Sequence, residues 1–228
     1  WDDDQDGEPT PKHLRDWVQA ELLEYEKACQ ELKKVEVPPK ERCSRASYVR
    51  QFHIDTPVYH LNTDSDARRL ACLSGKGENR DPKKLYKWFK EAVSGDDRDQ
   101  LRRLVRYLKA WAAVSFDDAP NSRPSSIFLT VVATEAYQDL WAQRLLGLAD
   151  DDALLAVIKK MHDRLFDDRK VENPVDKNED LNRMSVETWD GFLPRLAALQ
   201  DIAERAEDAE DEASAALVWS EAFSFLMP

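Results

Sequence analysis

Strand-like alternation is confined to one part of this chain. Residues 41–49 and 52–61 alternate as two β-like runs close enough to pair as a hairpin across Arg50-Gln51. Almost everything after Asp81-Pro82 instead repeats its apolar residues with the helical period. Such a chain has to set a small sheet beside a helical body. The reading is an α+β fold with its junction near residues 73–81, a sheet-bearing part at 1–80 and a helical part at 81–228.

Within the second run, Phe52, Ile54, Thr56 and Val58 fall on one face and His53, Asp55 and Tyr59 on the other. Pro57, which cannot donate to a ladder, limits the strand to an edge or an end. Upstream, Thr10-Pro11 start a helix predicted to reach about Lys34, with Leu14, Trp17, Val18, Leu22, Tyr25 and Leu32 facing inward, and Val37-Pro38-Pro39 break it. Downstream, Asp81 and Pro82 have cap and first-turn chemistry for a helix carrying Leu85, Trp88 and Phe89. A helix from Asp96 or Asp97 to about Val114 buries Leu101, Leu104, Val105, Leu108 and Trp111. After a loop at 117–124, Ser125-Ser126 open a helix whose apolar stretch, 127–133, makes it central. Helices near 151–167, 185–206 and 210–225 complete the chain, separated by the turn Asn173-Pro174-Val175-Asp176 and an acidic junction at 204–212.

A net charge of −12 argues against a general nucleic-acid binder, so any phosphate site has to be local. No apolar run is long enough to span a bilayer, and residues 1–10 are acidic and lack the apolar block of a signal peptide, which makes the cytoplasm the default compartment. Cys29, Cys43 and Cys72 have neither metal-ligand nor framework spacing and read as reduced thiols.

Several side chains could carry chemistry. Asp55 reads either as an ordinary edge-strand carboxylate or as an Mg²⁺ ligand held on a rigid strand end. Arg45, across the hairpin, either reaches the same cleft or pairs with one of the many carboxylates. Arg102, Arg106 and Lys109 recur at i, i+4 and i+7 as a stripe that either solvates a helix face or holds a triphosphate. Ser125 and Ser126 either cap their helix or present its N-terminus to an anion. Asp176 either caps a helix or offers a carboxylate to the N1–H and amine of guanine. His53 lies beside Asp55, but no histidine shows metal-ligand spacing. A Gly-rich phosphate loop and a nucleophile elbow are also lacking, which leaves hydrolase readings weak.

In combination these segments resemble the cGAS/DncV-like nucleotidyltransferases, bacterial cyclases that make cyclic di- or trinucleotide signals in antiphage (CBASS) defence. Cys43-Ser44-Arg45 followed by Phe52-His53-Ile54-Asp55-Thr56-Pro57-Val58-Tyr59 looks like the strand pair ending in the family's third metal-binding aspartate. The run Arg103-Leu104-Val105-Arg106-Tyr107-Leu108-Lys109-Ala110-Trp111, with Arg123-Pro124-Ser125-Ser126, is similar to the helix and helix start that hold the donor triphosphate. Asn173-Pro174-Val175-Asp176, followed by Asp180-Leu181-Asn182, resembles the base-contacting turn. The resemblance implies a polymerase-beta-like nucleotidyltransferase core, here incomplete, with a mixed sheet, and an OAS-like helical domain. It implies Asp55 as an Mg²⁺ ligand of a two-ion site, Arg45, Lys109, Ser125 and Ser126 as phosphate contacts, and Asp176 as a nucleobase contact. ATP and GTP are the implied substrates, and a regulatory or conjugating protein partner is a family expectation. The family's Gly-Ser motif and paired aspartates precede the segment that Trp1 onward resembles. Asp2 and Asp4 have the pair's spacing without the apolar alternation of a core strand, so the two other metal carboxylates are expected to lie outside this chain, which alone is then inactive. The competing readings are an inactive nucleotidyltransferase-like interaction module and a linear oligonucleotide synthase.

Overall fold

In the computed structural model, residues 9–49, 52–65, 67–79 and 81–224 are described. The chain divides into two compact units, residues 1–83 and 84–228.

The first unit begins with α1 (Pro11–Ala28), started by the Thr10 hydroxyl, which accepts a hydrogen bond from the His13 amide at 3.2 Å. The helix stops at Cys29, short of the predicted Lys34. Leu32 and the residues after it form β1 (Leu32–Val35), where Leu32 and Val35 bury themselves against the next strand. The inward face also differs from the apolar reading. Trp17 and Tyr25 are exposed, and Arg15 and Gln19 are buried instead. Their polar ends explain this. Arg15 donates to the carbonyls of Lys40, Glu41 and Ala71, and the Gln19 amide to that of Glu36, so one face of the helix satisfies backbone acceptors rather than adding oil.

Strand β2 (Ser44–Tyr48) lies between β1 and β3 (His53–Thr56), with Arg45 directly opposite Asp55 and Ser47 opposite His53. The expected hairpin is present, although its turn residues Arg50 and Gln51 lie outside the described residues. The 52–61 run is interrupted at Pro57-Val58 and continues as β4 (Tyr59–Asn62) in a second sheet with β5 (Ala67–Ala71) and β6 (Gly77–Asn79), in the order β4-β5-β6. Strand β3 is not the half-buried ladder its alternation suggests. Ile54 is exposed, and Phe52 stacks on Tyr48 with centroids 4.6 Å apart.

The second unit is built on α3 (Asp96–Ser115), which follows α2 (Pro82–Glu91) and buries all five leucine, valine and tryptophan positions read from the sequence. Gly95 opens α3 with φ 59°, a backbone geometry that L side chains resist. Helix α4 (Ser126–Gln138) is buried on nearly every side, as expected of a central helix. It is followed by the short α5 (Trp141–Arg144), by α6 (Asp150–Asp167), by a hairpin of β7 (Glu172–Asn173) and β8 (Asp176–Asp180), and by α7 (Val186–Glu207) and α8 (Glu212–Phe223). Phe192 of α7 sits at the centre, with Phe128 edge-on at 5.7 Å and Trp189 at 5.5 Å. Every strand pair among the described residues is antiparallel. Among them, no helix is long and apolar enough to cross a membrane.

Candidate functional site

In the first unit, the β2–β3 register brings Arg45 and Asp55 into direct contact. The guanidinium donates two parallel bonds, Nε to Oδ1 at 2.6 Å and Nη2 to Oδ2 at 2.7 Å. This fork holds the Asp55 carboxyl below the usual aspartate range and raises Arg45. Burial first, then the nearby Asp55 carboxylate, pushes the Cys43 thiol up. The two candidates read as separate contacts are therefore each other's partner. As a test of fit for Mg²⁺, Asp55 offers one carboxylate with both oxygens already engaged. No group of three or more His, Cys, Asp or Glu capable of holding a metal occurs among the described residues. These residues do not by themselves fit a two-ion centre. Asp2 and Asp4 lie outside the described residues.

In the second unit, the α3 stripe lines a groove of about 600 Å³ together with Phe89 of α2. Its cations are not equivalent. Arg102 contacts Asp99 at 3.4 Å, and Arg103 forks onto Asp150 at 2.6 and 2.8 Å. Arg106 and Lys109 make no hydrogen bond or ion pair among the described residues. Lys109 is half-buried without a counter-charge, and that burial pushes its ammonium pKa down. Asp150 is a residue that pattern reading missed. It opens α6, accepts from Arg103, Gln100 and Tyr107, and is held below the ordinary aspartate range by Arg103 first. The only hint in the sequence was the run Asp150-Asp151-Asp152 at a helix start.

Ser125 is the N-cap of α4, its hydroxyl accepting from the Phe128 amide at 3.3 Å, and Ser126 is the first helical residue. Both are exposed. Ser125 lines a different cavity from Lys109, one of about 370 Å³ where the starts of α4 and α7 meet. Asp176 opens β8, and its Oδ1 accepts from the Asn178 amide at 3.2 Å, so it closes a turn at a strand start instead of capping a helix. Its turn is anchored by Asn173, which is buried, accepts from the Val175 amide at 3.0 Å and donates to Glu179 at 2.8 Å.

Residues 1–59 match the family model described as cyclic GMP-AMP synthase DncV-like, nucleotidyltransferase domain. A cyclic GMP-AMP synthase of Escherichia albertii is 24% identical over 73% of this chain and 35% of its own length. A c-di-GMP synthase of Roseivirga ehrenbergii is 24% identical over 83% of the chain and 55% of its own length. The fold is shared with Vibrio cholerae DncV cyclic AMP-GMP synthase, solved with the linear intermediate 5′ pppA(3′,5′)pG. That match has a TM-score of 0.77 and 22% identity, and covers 95% of this chain and 60% of that one. Escherichia coli DncV, in its 3′-deoxy GTP bound form, matches with a TM-score of 0.76 and 24% identity, over 97% and 60% of the two chains. The chain therefore spans only about a third to three fifths of the relatives it matches. The family model thus matches the first 59 residues, and the chain as a whole shares the fold of the DncV synthases.

Proposed function

We propose that this chain is part of a nucleotidyltransferase that joins ATP and GTP into a cyclic di- or trinucleotide signal, acting in the cytoplasm in antiphage defence with a regulatory or conjugating protein partner. The observation that carries the reading is the α3 groove, where Arg106 and Lys109 make no ion pair among the described residues in a chain of net charge −12. A half-buried ammonium with no anion beside it is a cost that a bound phosphate removes. The named activities of the relatives and the nucleotide complexes of V. cholerae DncV support the same chemistry.

In the proposed reaction a ribose hydroxyl attacks the α-phosphorus of a nucleoside triphosphate, the new P–O bond forms as the bond to pyrophosphate breaks, and a second attack closes the ring. Lys109 and Arg106 hold the donor's phosphates, the Ser125 and Ser126 hydroxyls bind at the helix start, and Asp176 accepts hydrogen bonds from a nucleobase. Two Mg²⁺ ions, when bound, supply charge neutralisation at the attacking and leaving oxygens. In this chain Asp55 is the proposed ligand and Arg45 the proposed phosphate contact, roles that each can take only by leaving the other. That mutual engagement is the specific observation favouring a second reading, a nucleotidyltransferase-shaped interaction module without activity.

The test is to incubate the full-length protein with four labelled nucleoside triphosphates and Mg²⁺ and to resolve phosphatase-resistant products. Asp55→Asn is expected to abolish them while leaving the fold intact, because so exposed an ion pair contributes about 1 kcal/mol or less. No product from folded protein supplied with its operon partners would overturn the cyclase reading, and unchanged synthesis by Asp55→Asn would overturn the metal role.

A further inference from the structure

We infer that an internal water molecule is bound between α1 and the start of β2, where Arg15, Gln19 and Ser44 share it. Arg15 is 1%, Gln19 8% and Ser44 0% exposed. Each has a buried side-chain atom with no hydrogen-bond partner among the described residues, namely Arg15 Nε, Gln19 Oε1 and Ser44 Oγ. Native interiors leave few such atoms, and a buried water typically bonds about three of them at once. The three converge on one short stretch of backbone. Arg15 and Gln19 are one turn apart on the same face of α1. The Arg15 guanidinium donates to the carbonyls of Lys40 and Glu41. The Gln19 amide donates to that of Glu36 at 3.0 Å, and the Glu36 amide is bonded in turn to Arg45, the residue after Ser44. Ser44 lies on the same face of β2 as Ala46, whose apolar cluster packs against Leu22 and Leu23 of α1.

The chemistry of these atoms selects the ligand. A carbonyl can only accept, so the Gln19 nitrogen is the atom that faces Glu36 and Oε1 is the free acceptor. Arg15 Nε can only donate, and the Ser44 hydroxyl does either. A cation there would meet the guanidinium, and an anion would meet the Gln19 oxygen, each without compensation. A small neutral molecule that both accepts and donates satisfies all three. Water takes the Arg15 N–H, gives one hydrogen to Gln19 Oε1 and bonds the Ser44 hydroxyl with its remaining capacity. Bound there, it ties α1 to the strand whose next residue, Arg45, forks onto Asp55. The site goes beyond the nucleotidyltransferase reading and does not rest on it.

The test pairs a crystal structure of the full-length protein, with a second crystal soaked in bromide, and ¹⁷O relaxation dispersion of the solvent. A density peak is expected at about 2.7–3.2 Å from Arg15 Nε, Gln19 Oε1 and Ser44 Oγ, with no bromide anomalous signal at that position. In solution, the double variant Gln19→Leu with Ser44→Ala keeps only one of the three partners. Its dispersion amplitude is expected to fall by the contribution of one long-lived water. Absence of the peak, direct hydrogen bonds among the three side chains in its place, or a bromide signal there would overturn the site. An unchanged dispersion amplitude in the folded double variant would overturn it as well.

Discussion

Replacing Arg15 separates two opposed effects in the first unit. Arg15 is 1% exposed and, among the described residues, has no carboxylate within ion-pair distance. Its guanidinium donates to three backbone carbonyls, Lys40 at 2.8 Å, Glu41 at 3.1 Å and Ala71 at 3.3 Å. Burying a cation without an anion is unfavourable, and for many buried charges a well-packed apolar replacement is neutral or stabilising. The opposing effect is that each carbonyl deprived of its donor costs about 1–3 kcal/mol where water cannot replace it. Ala71 is fully buried, whereas Lys40 and Glu41 are exposed enough to rehydrate. Counting one orphaned acceptor in full, two in part, and a partial return from removing the charge, Arg15→Met should destabilise the unit by about 2 kcal/mol. Arg15→Ala should lose more, because it also empties the volume of the side-chain stem.

The assay is hydrogen exchange at the Leu73 amide, which donates to the same Glu41 carbonyl at 2.8 Å. A loss of about 2 kcal/mol speeds its exchange roughly thirtyfold when opening limits exchange. Arg15→Met exchanging as slowly as wild type, or more slowly, would refute the claim that the carbonyl clamp outweighs the buried charge. The outcome bears on function because residues 40–41 lead directly into Cys43 and Arg45, so slackening that loop loosens the strand that aligns Arg45 with Asp55.

Two further predictions concern the helical unit. Asp150 has a folded pKa depressed by Arg103, so its stabilisation is present above the ordinary aspartate value of about 3.9 and is lost as pH falls through the folded value. The melting-temperature gap between wild type and Asp150→Asn should be widest near neutrality and close below that range, and a gap independent of pH would argue against the Arg103 pairing. Lys109→Met should leave the melting temperature unchanged or raise it, since a half-buried charge without a partner is removed, while weakening GTP binding about tenfold in an equilibrium titration. A clear fall in melting temperature would instead give Lys109 a structural role.

The helices were legible because their burial is written as spacing. Leu101, Leu104, Val105, Leu108 and Trp111 repeat at helical intervals, and every one is buried. The strands outside the hairpin were not, because no period-two alternation of apolar and polar residues marks them. Strand β8 reads Asp-Lys-Asn-Glu-Asp and β5 Ala-Arg-Arg-Leu-Ala, and both exist through backbone pairing with a neighbour that no local pattern announces. Arg15 and Gln19 were invisible for the opposite reason, being polar side chains whose partners are carbonyls far along the chain.

The site was half legible in the same sense. Alternation was enough to place Arg45 across from Asp55, but it says nothing about whether the two side chains engage each other, and they do. The charge balance sharpens this point. With acidic residues in excess, most cations near a groove find a carboxylate, as Arg102, Arg103 and Arg183 have done. Spacing alone ranks Arg102 with Arg106 and Lys109. Three-dimensional pairing removes Arg102 from that set and adds Arg123, which no helical stripe contains. In an acidic protein a cavity-lining cation that makes no ion pair among the described residues has no such contact to break, so a phosphate arriving there displaces only water. On that argument Arg106, Lys109 and Arg123 outrank Arg45, whose forked bond to Asp55 has to break before it can bind anything else.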